Sequence, residues 1–410
     1  TEIHDVNGFW ALDQASGVNT FTVASNSTAT YAIVTAAWDG GVQIIDVSNP
    51  SAIVAKDAEW HNMINGKGFT QLYQPSNGAE IFTVASNSTA TYALVTDVGK
   101  DDNNQADGGV QIIDVSNPSA IVATDAARDG DPGFTQLQGA HSADIFTVAS
   151  NSTATYAIVT AIGSWDSNGI QIIDVSNPSA IVAKGEFTHA NLLYPGGVET
   201  FTIGTSTYAI VTGYTADTVQ ILDISDPTNI VAKDSLENSG SLELDGAYGV
   251  DVFTVGASTY AIVTGYDDDG VQIIDVSDPT DIIAVDSLAD SGSLELDGAD
   301  GVDTFNIGFT KYAIVAAVET YGENDGGVQI LQLSTDDKLV GEVSKTLSES
   351  ISFTDTISKS TTKLLSETLS FTDAATGTKD TRTVSISETL SFTDAATGTK
   401  DTRTVSISET

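Results

Sequence analysis

The stretch GVQIIDVSNPSAIVAKD, residues 41–57, returns as GVQIIDVSNPSAIVATD from Gly109 and as GIQIIDVSNPSAIVAKG from Gly169. Looser copies begin at Val219, Val271 and Val328. No other feature constrains the fold as strongly. A unit that recurs every 49 to 68 residues must be one supersecondary module, and it cannot bury its own apolar surface without neighbours of the same kind.

Two further phrases precede each copy. One is TYAIVT or a close variant, beginning at Thr30, Thr91, Thr155, Thr207, Thr259 and Lys311. The other begins at Asn19, Glu80, Asp144, Glu199, Asp251 and Asp303, as in EIFTVA and DVFTVG. With the run that follows, such as AIVAKD, each unit offers four β-rich runs separated by Gly, Asn, Asp, Ser and Pro. In Val42-Gln43-Ile44-Ile45 both strand faces carry aliphatics, so the strand must be covered on both sides. Sheets stacked against two neighbours provide that cover. The arithmetic predicts an all-β fold: a six-bladed β-propeller of four-stranded blades over residues 1–343, followed by a repetitive Ser/Thr-rich β-strand tail over residues 344–410.

The strand ending in Asp, the Val-Ser-x-Pro turn and the preceding Tyr-Ala-x-Val strand resemble the LVIVD-type β-propeller repeat family. The resemblance covers roughly residues 1–343. It implies a propeller, often secreted or attached to a cell surface, and no particular enzymatic activity. Ring closure stays open at this level. Residues 339–343 can form the sixth blade's own fourth strand, and the N-terminal TEIHDVNGFW can add to it or replace it.

The tail changes character. It holds 31 Ser or Thr in 67 residues and only 9 acidic against 7 basic residues, while the repeats before it keep 47 acidic against 8 basic. SETLSFTD recurs at Ser366 and Ser387, and the chain stops inside a further copy. Val384, Ile386, Leu390 and Phe392 alternate with polar residues, which predicts an amphipathic strand suited to assembly; a loose Ser/Thr stalk is the plainer alternative. Such ends resemble those of some secreted archaeal surface proteins.

A net charge of −41 argues against nucleic acid and anionic lipid as partners. No stretch is apolar enough to span a membrane, and the absence of cysteine removes disulfide and thiolate chemistry. The chain opens on Thr1 and reads as mature or trimmed.

Five candidate sets follow. The strand-ending Asp46, Asp114, Asp174, Asp223 and Asp275 each precede a Ser-x-Pro turn and are expected to accept its N–H groups. Asn19, Glu80, Asp144, Glu199, Asp251 and Asp303 would ring one mouth of the central channel if their phrase is the innermost strand. Such an oxygen-only acidic ring suits Ca²⁺, or is simply a solvated rim. Acidic hairpins at Asp101, Asp102 and Asp107 and at Asp267, Asp268 and Asp269 are weaker calcium candidates without EF-hand spacing. Asn26, Asn87 and Asn151 head Asn-Ser-Thr sequons on predicted turns. His4, His61, His141 and His189 show no zinc spacing. No nucleophile elbow, P-loop or dinucleotide fingerprint is present, so the chain is expected not to be an enzyme. The expectation is an extracellular, cell-surface structural protein that self-assembles or is tethered through its tail; the alternative is a Ca²⁺-dependent adhesin or a glycan- or protein-binding module.

Overall fold

The computed structural model describes residues 12, 14–38, 40–60, 69–99, 108–163, 169–291, 294–318, 327–333 and 339–340. The chain divides into two compact units, Thr1–Leu347 and Ser348–Thr410. Val384, Ile386, Leu390 and Phe392 lie outside the described residues, as do Asp101, Asp102, Asp107, His4 and His61.

The first unit is the expected propeller of six four-stranded antiparallel sheets, each built from consecutive strands in chain order. Blade one runs Ala15–Val23, Asn26–Ala36, Gly41–Asp46 and Val54–Trp60, and the others follow the same plan. The first strand of each blade is innermost: Ala15–Val23, Pro75–Val84, Ala140–Val148, Pro195–Ile203, Ala247–Val255 and Ala299–Ile307. These six strands therefore line the channel, each packed on the first strand of the next blade from one to six.

The apolar-on-both-faces reading of the repeated strand holds. Ile33, Val42 and Ile44 of blade one pack against Ala93, Val95 and Ile113 of blade two. The same register repeats between each later pair, ending with Ile262, Val271 and Ile273 against Ala313, Val315 and Leu331. Burial of one such Ile is worth about 1.5–3 kcal/mol, and each blade contributes several.

The repeated Gln is the polar exception inside this core. Gln171 Nε2 donates to the carbonyls of Ile172 at 3.4 Å and Gly185 at 2.8 Å, while Oε1 accepts from Thr135 N at 3.3 Å. Gln111 does the same with Asp125 O and Thr70 N. The amide serves the bulge between third and fourth strands and pins the incoming loop, so a buried polar side chain is satisfied rather than stranded.

The strand-ending aspartates behave as expected. Ser48, Ser116, Ser176, Ser225 and Ser277 donate their backbone N–H to Asp46, Asp114, Asp174, Asp223 and Asp275 at 2.9–3.1 Å. Lys56, Lys184 and Lys233 add ion pairs to three of them. A second set, unforeseen, clips blades together: Asp57, Asp125 and Asp234 accept from Ile121, Ile181 and Ile282 of the next blade at 2.8–2.9 Å.

Blade six supplies its own fourth strand, Leu339–Val340, paired to Leu333 and Gln332. The face that the other blades turn toward the following blade is less covered here. Ile314 is 37% exposed and Val328 59%, whereas their counterparts Ile262 and Val271 are fully buried against the following blade. Ile307 and Phe309, at the tip of its first hairpin, are exposed, and so is Val18 on blade one. Among the described residues, no core cluster joins blade six to blade one.

Candidate functional site

The acidic register does line the channel, but inside it and not at its mouth. Asn19, Asp144, Glu199, Asp251 and Asp303 are each the fifth of nine residues in their inner strand, because the strands begin four residues earlier than the hydrophobic pattern shows. Glu80 pairs with Leu94 at the equivalent position. Asp144, Glu199, Asp251 and Asp303 come from four different blades and still interact electrostatically, which places them around one lumen.

Asp144 accepts from its neighbour Ile145 N at 2.6 Å and from Thr200 N at 2.8 Å and Oγ1 at 2.5 Å on the next blade. Asp251 repeats this with Val252 N and Thr304 N at 2.7 Å. Asn19 Oδ1 takes Thr20 N at 2.7 Å. Asp144 and Asp251 thereby clip neighbouring inner strands, whereas the Asn19 bond stays within its own strand. Glu80 and Glu199 receive no hydrogen bond among the described residues. Burial, reinforced by Asp144, pushes the Glu80 carboxyl up to about 8. Glu199 is raised well above the ordinary range by burial and by Asp144, Asp251 and Glu80. Asp144 and Asp251 are raised too, burial outweighing their hydrogen bonds.

No three carboxylates or imidazoles among the described residues stand close enough together to hold a metal ion. At the second hairpin, Asp268 and Asp269 are acceptors for the backbone N–H groups of Asp245 and Gly298 at 2.7 and 2.8 Å, and Asp267 is hydrogen-bonded to Tyr214. The sequon residues Asn26, Asn87 and Asn151 open the second strands of blades one to three, exposed at the tips of tight hairpins. Each accepts from the hydroxyl of its own sequon Thr at 3.1 Å.

The channel end where the inner strands begin carries a group the sequence reading missed. The second inner-strand residue is His141, Gly196, Tyr248 and Asp300 in blades three to six, and each carbonyl is held by a Thr hydroxyl of the preceding blade. Beside them stand Tyr214 and Tyr266, one residue past the second strands of blades four and five. Their equivalents, fixed by the same backbone hydrogen bond, are Ala37, Val98, Ile162 and Val318. Tyr214, Tyr248 and Tyr266 have ring centroids 5.8, 6.1 and 6.4 Å apart, and Tyr194 lies 5.7 Å from Tyr214.

The Tyr248 hydroxyl is 2.9 Å from His141 Nε2. Burial lowers His141 to about 4, so the ring is neutral; it hydrogen-bonds the Gly196 backbone as well, which leaves Nε2 to accept from Tyr248. Asp300 receives no hydrogen bond on its carboxyl among the described residues, and burial pushes it up to about 6. Tyr194 sits at φ +56°, a left-handed position that is glycine in blades three, five and six. A tyrosine there costs roughly 1–2 kcal/mol. The signal that could have found this cluster was divergence between otherwise similar units, visible only once register aligned them.

The fold and its strand register define a six-bladed β-propeller with an acidic channel and an aromatic end. Within it, residues 30–57, 105–124, 162–189, 213–237 and 260–290 match the LVIVD repeat, so the chain carries LVIVD repeats in five of its blades. No curated protein matches the chain. Among solved structures, a protein from Lactobacillus plantarum is similar at TM-score 0.53 and 13% identity, over 76% of this chain and 80% of that one. A "putative 6-phosphogluconolactonase" from Bacteroides fragilis is similar at TM-score 0.50 and 14% identity, over 80% and 82%. These likenesses establish the fold alone. They do correct one expectation. Lack of a catalytic motif does not make this chain a non-enzyme, since the same architecture serves a protein described as a lactonase.

Proposed function

We propose that this chain is an extracellular, cell-surface binding module that grips its ligand at the channel end framed by His141, Tyr194, Tyr214, Tyr248, Tyr266 and Asp300. One observation carries the reading. Units that share their scaffold hydrogen bonds differ at this end, and the differences bring large aromatic rings and a carboxyl without a donor together. Convergent aromatic and polar groups at the mouth of a barrel or channel are the usual form of a ligand site. The exposed sequons at Asn26, Asn87 and Asn151 suit glycan attachment on an exported protein.

The test is cosedimentation of the full chain with the envelope fraction of its own cells. Wild type is expected to pellet, and a Tyr248→Leu/Asp300→Asn variant with unchanged melting behaviour is expected to stay in solution. Equal pelleting of the two would remove this end from the binding function.

A second reading, assembly into filaments or arrays, draws support from the uncovered apolar face of blade six, where Ile307, Ile314 and Val328 are exposed, with Phe309 exposed at the adjoining hairpin tip. Light scattering of Ile314→Asp/Val328→Asp against wild type decides it. Assemblies that survive the double substitution place any self-contact elsewhere.

A further inference from the structure

We propose that the aromatic channel end takes an organic ammonium ion, a positively charged nitrogen carried on a small apolar or polyhydroxylated body. This rests on the reading of that end as the ligand site and names the chemistry it selects.

Three rings, Tyr214, Tyr248 and Tyr266, stand in mutual contact, with Tyr194 against Tyr214, and none is fully buried. Their polar ends are already engaged where it matters for orientation: the Tyr248 hydroxyl with His141, and that of Tyr214 with Asp267. What the rings can still offer a ligand is their π-surface. That surface carries a negative quadrupole and attracts cations, each ring face being worth roughly 2- to 30-fold in affinity depending on desolvation.

Among the described residues, the charged groups that act on the rings are carboxylates. Asp300 interacts electrostatically with Tyr248, and Asp267 with Tyr214. Asp245, Asp268 and Glu243 lie in the adjoining loops and repel one another. Of the described basic residues, Lys56, Lys184 and Lys233 are paired to aspartates at the opposite ends of their strands, Lys311 begins the second strand of blade six at that same opposite end, and Arg128 ends the outermost strand of blade two. An anion is therefore repelled. An inorganic dication would need several converging carboxylates, and the described residues bring no such group together. An ammonium ion on an organic body uses both the rings and the donor-free Asp300 carboxyl.

Blades three, five and six place glycine at that left-handed turn and blade one places Gln14 there at φ +50°; blade four alone sets an aromatic ring at it, Tyr194 beside Tyr214.

Choline chloride is the probe, titrated into the full chain by calorimetry, with 3,3-dimethyl-1-butanol as its uncharged isostere and glucose as a neutral polyol. Saturable choline binding is expected, with the isostere roughly tenfold weaker or worse. Tyr248→Phe keeps the ring and should retain affinity within about threefold, whereas Tyr248→Leu and Tyr266→Leu should each lose about tenfold. Asp300→Asn should weaken binding several-fold. Acidification from pH 7.5 to 5 should weaken it as well, because Asp300 gains its proton near 6 while His141 stays neutral. Equal binding of choline and isostere, saturable binding of glucose in their place, or unchanged affinity in both folded Leu variants would overturn the ammonium proposal. The two readings separate cleanly. Envelope binding that needs Tyr248 and Asp300 yet ignores excess choline keeps the site and rejects the ligand class, while envelope binding indifferent to both residues rejects the site.

Discussion

Glu80→Gln isolates what the channel carboxyls cost the fold. Glu80 is ordinarily a 4.5 carboxyl, and in the folded channel burial and Asp144 hold it near 8. Between these values the folded protein keeps a proton that the unfolded chain has released. Stability therefore falls as pH rises through that window, at about 1.4 kcal/mol per pH unit for this one group. Summed over the window, the loss is roughly 5 kcal/mol. Gln has the shape of the protonated form and does not titrate. The variant should match wild type near pH 5 and exceed it by roughly 5 kcal/mol near pH 8. At about 2.1 cal/mol/K of unfolding entropy per residue, a propeller of about 330 residues gains roughly 7 °C in Tm for that difference. Calorimetric melts of both proteins at pH 5, 6, 7 and 8, in the presence of a chelator so that protons alone compete for the carboxylates, give the answer. Parallel Tm profiles across the range would refute the argument, because they would mean that Glu80 is as well solvated folded as unfolded.

Other substitutions probe the scaffold. Gln171→Leu keeps the volume but strands the Gly185 carbonyl and the Thr135 N–H, and should cost about 2–4 kcal/mol in urea unfolding, against no more than ~1 kcal/mol if the amide only fills space. Asp125→Ala removes the acceptor for Ile181 N on the next blade and should cost about 1–3 kcal/mol; a neutral result would show that core packing alone sets blade spacing. Asp223→Ala should be clearly worse than Lys233→Ala, since the turn N–H of Ser225 loses its acceptor while the half-exposed ion pair contributes ~1 kcal/mol or less. Equal effects would make the ion pair the main task of that aspartate.

The scaffold was legible because its causes are local. Alternation and doubled apolar faces in VQIID marked a strand buried between sheets, and the Asp before Ser-x-Pro marked the turn it ties. The acidic register was legible too, since one oxygen-bearing residue per unit stands out at Asn19, Glu80, Asp144, Glu199, Asp251 and Asp303. Its height in the channel was not, because the residues that extend each inner strand upstream, such as Gly196-Gly197 and Ala140-His141, carry no strand signal of their own. They are strand because they pair with the end of the second strand, Ala140 with Ala161 and Pro195 with Gly213, while a Thr hydroxyl of the preceding blade holds the carbonyls of His141 and Gly196.

By itself, the sequence determined the repeat, and through it the blade count, the order of strands and which faces are buried, since each follows from periodicity within some sixty residues. Only the tertiary structure decided which acids clip neighbouring blades and which face the lumen, that blade six leaves Ile314 and Val328 uncovered, and that tyrosines from two blades meet beside Asp300. Those outcomes depend on residues of successive blades, such as Asp144 and Thr200 or Tyr214 and Tyr248, being brought together around a common axis. One chain's pattern of apolar and polar positions does not contain that axis; it appears when the blades stack.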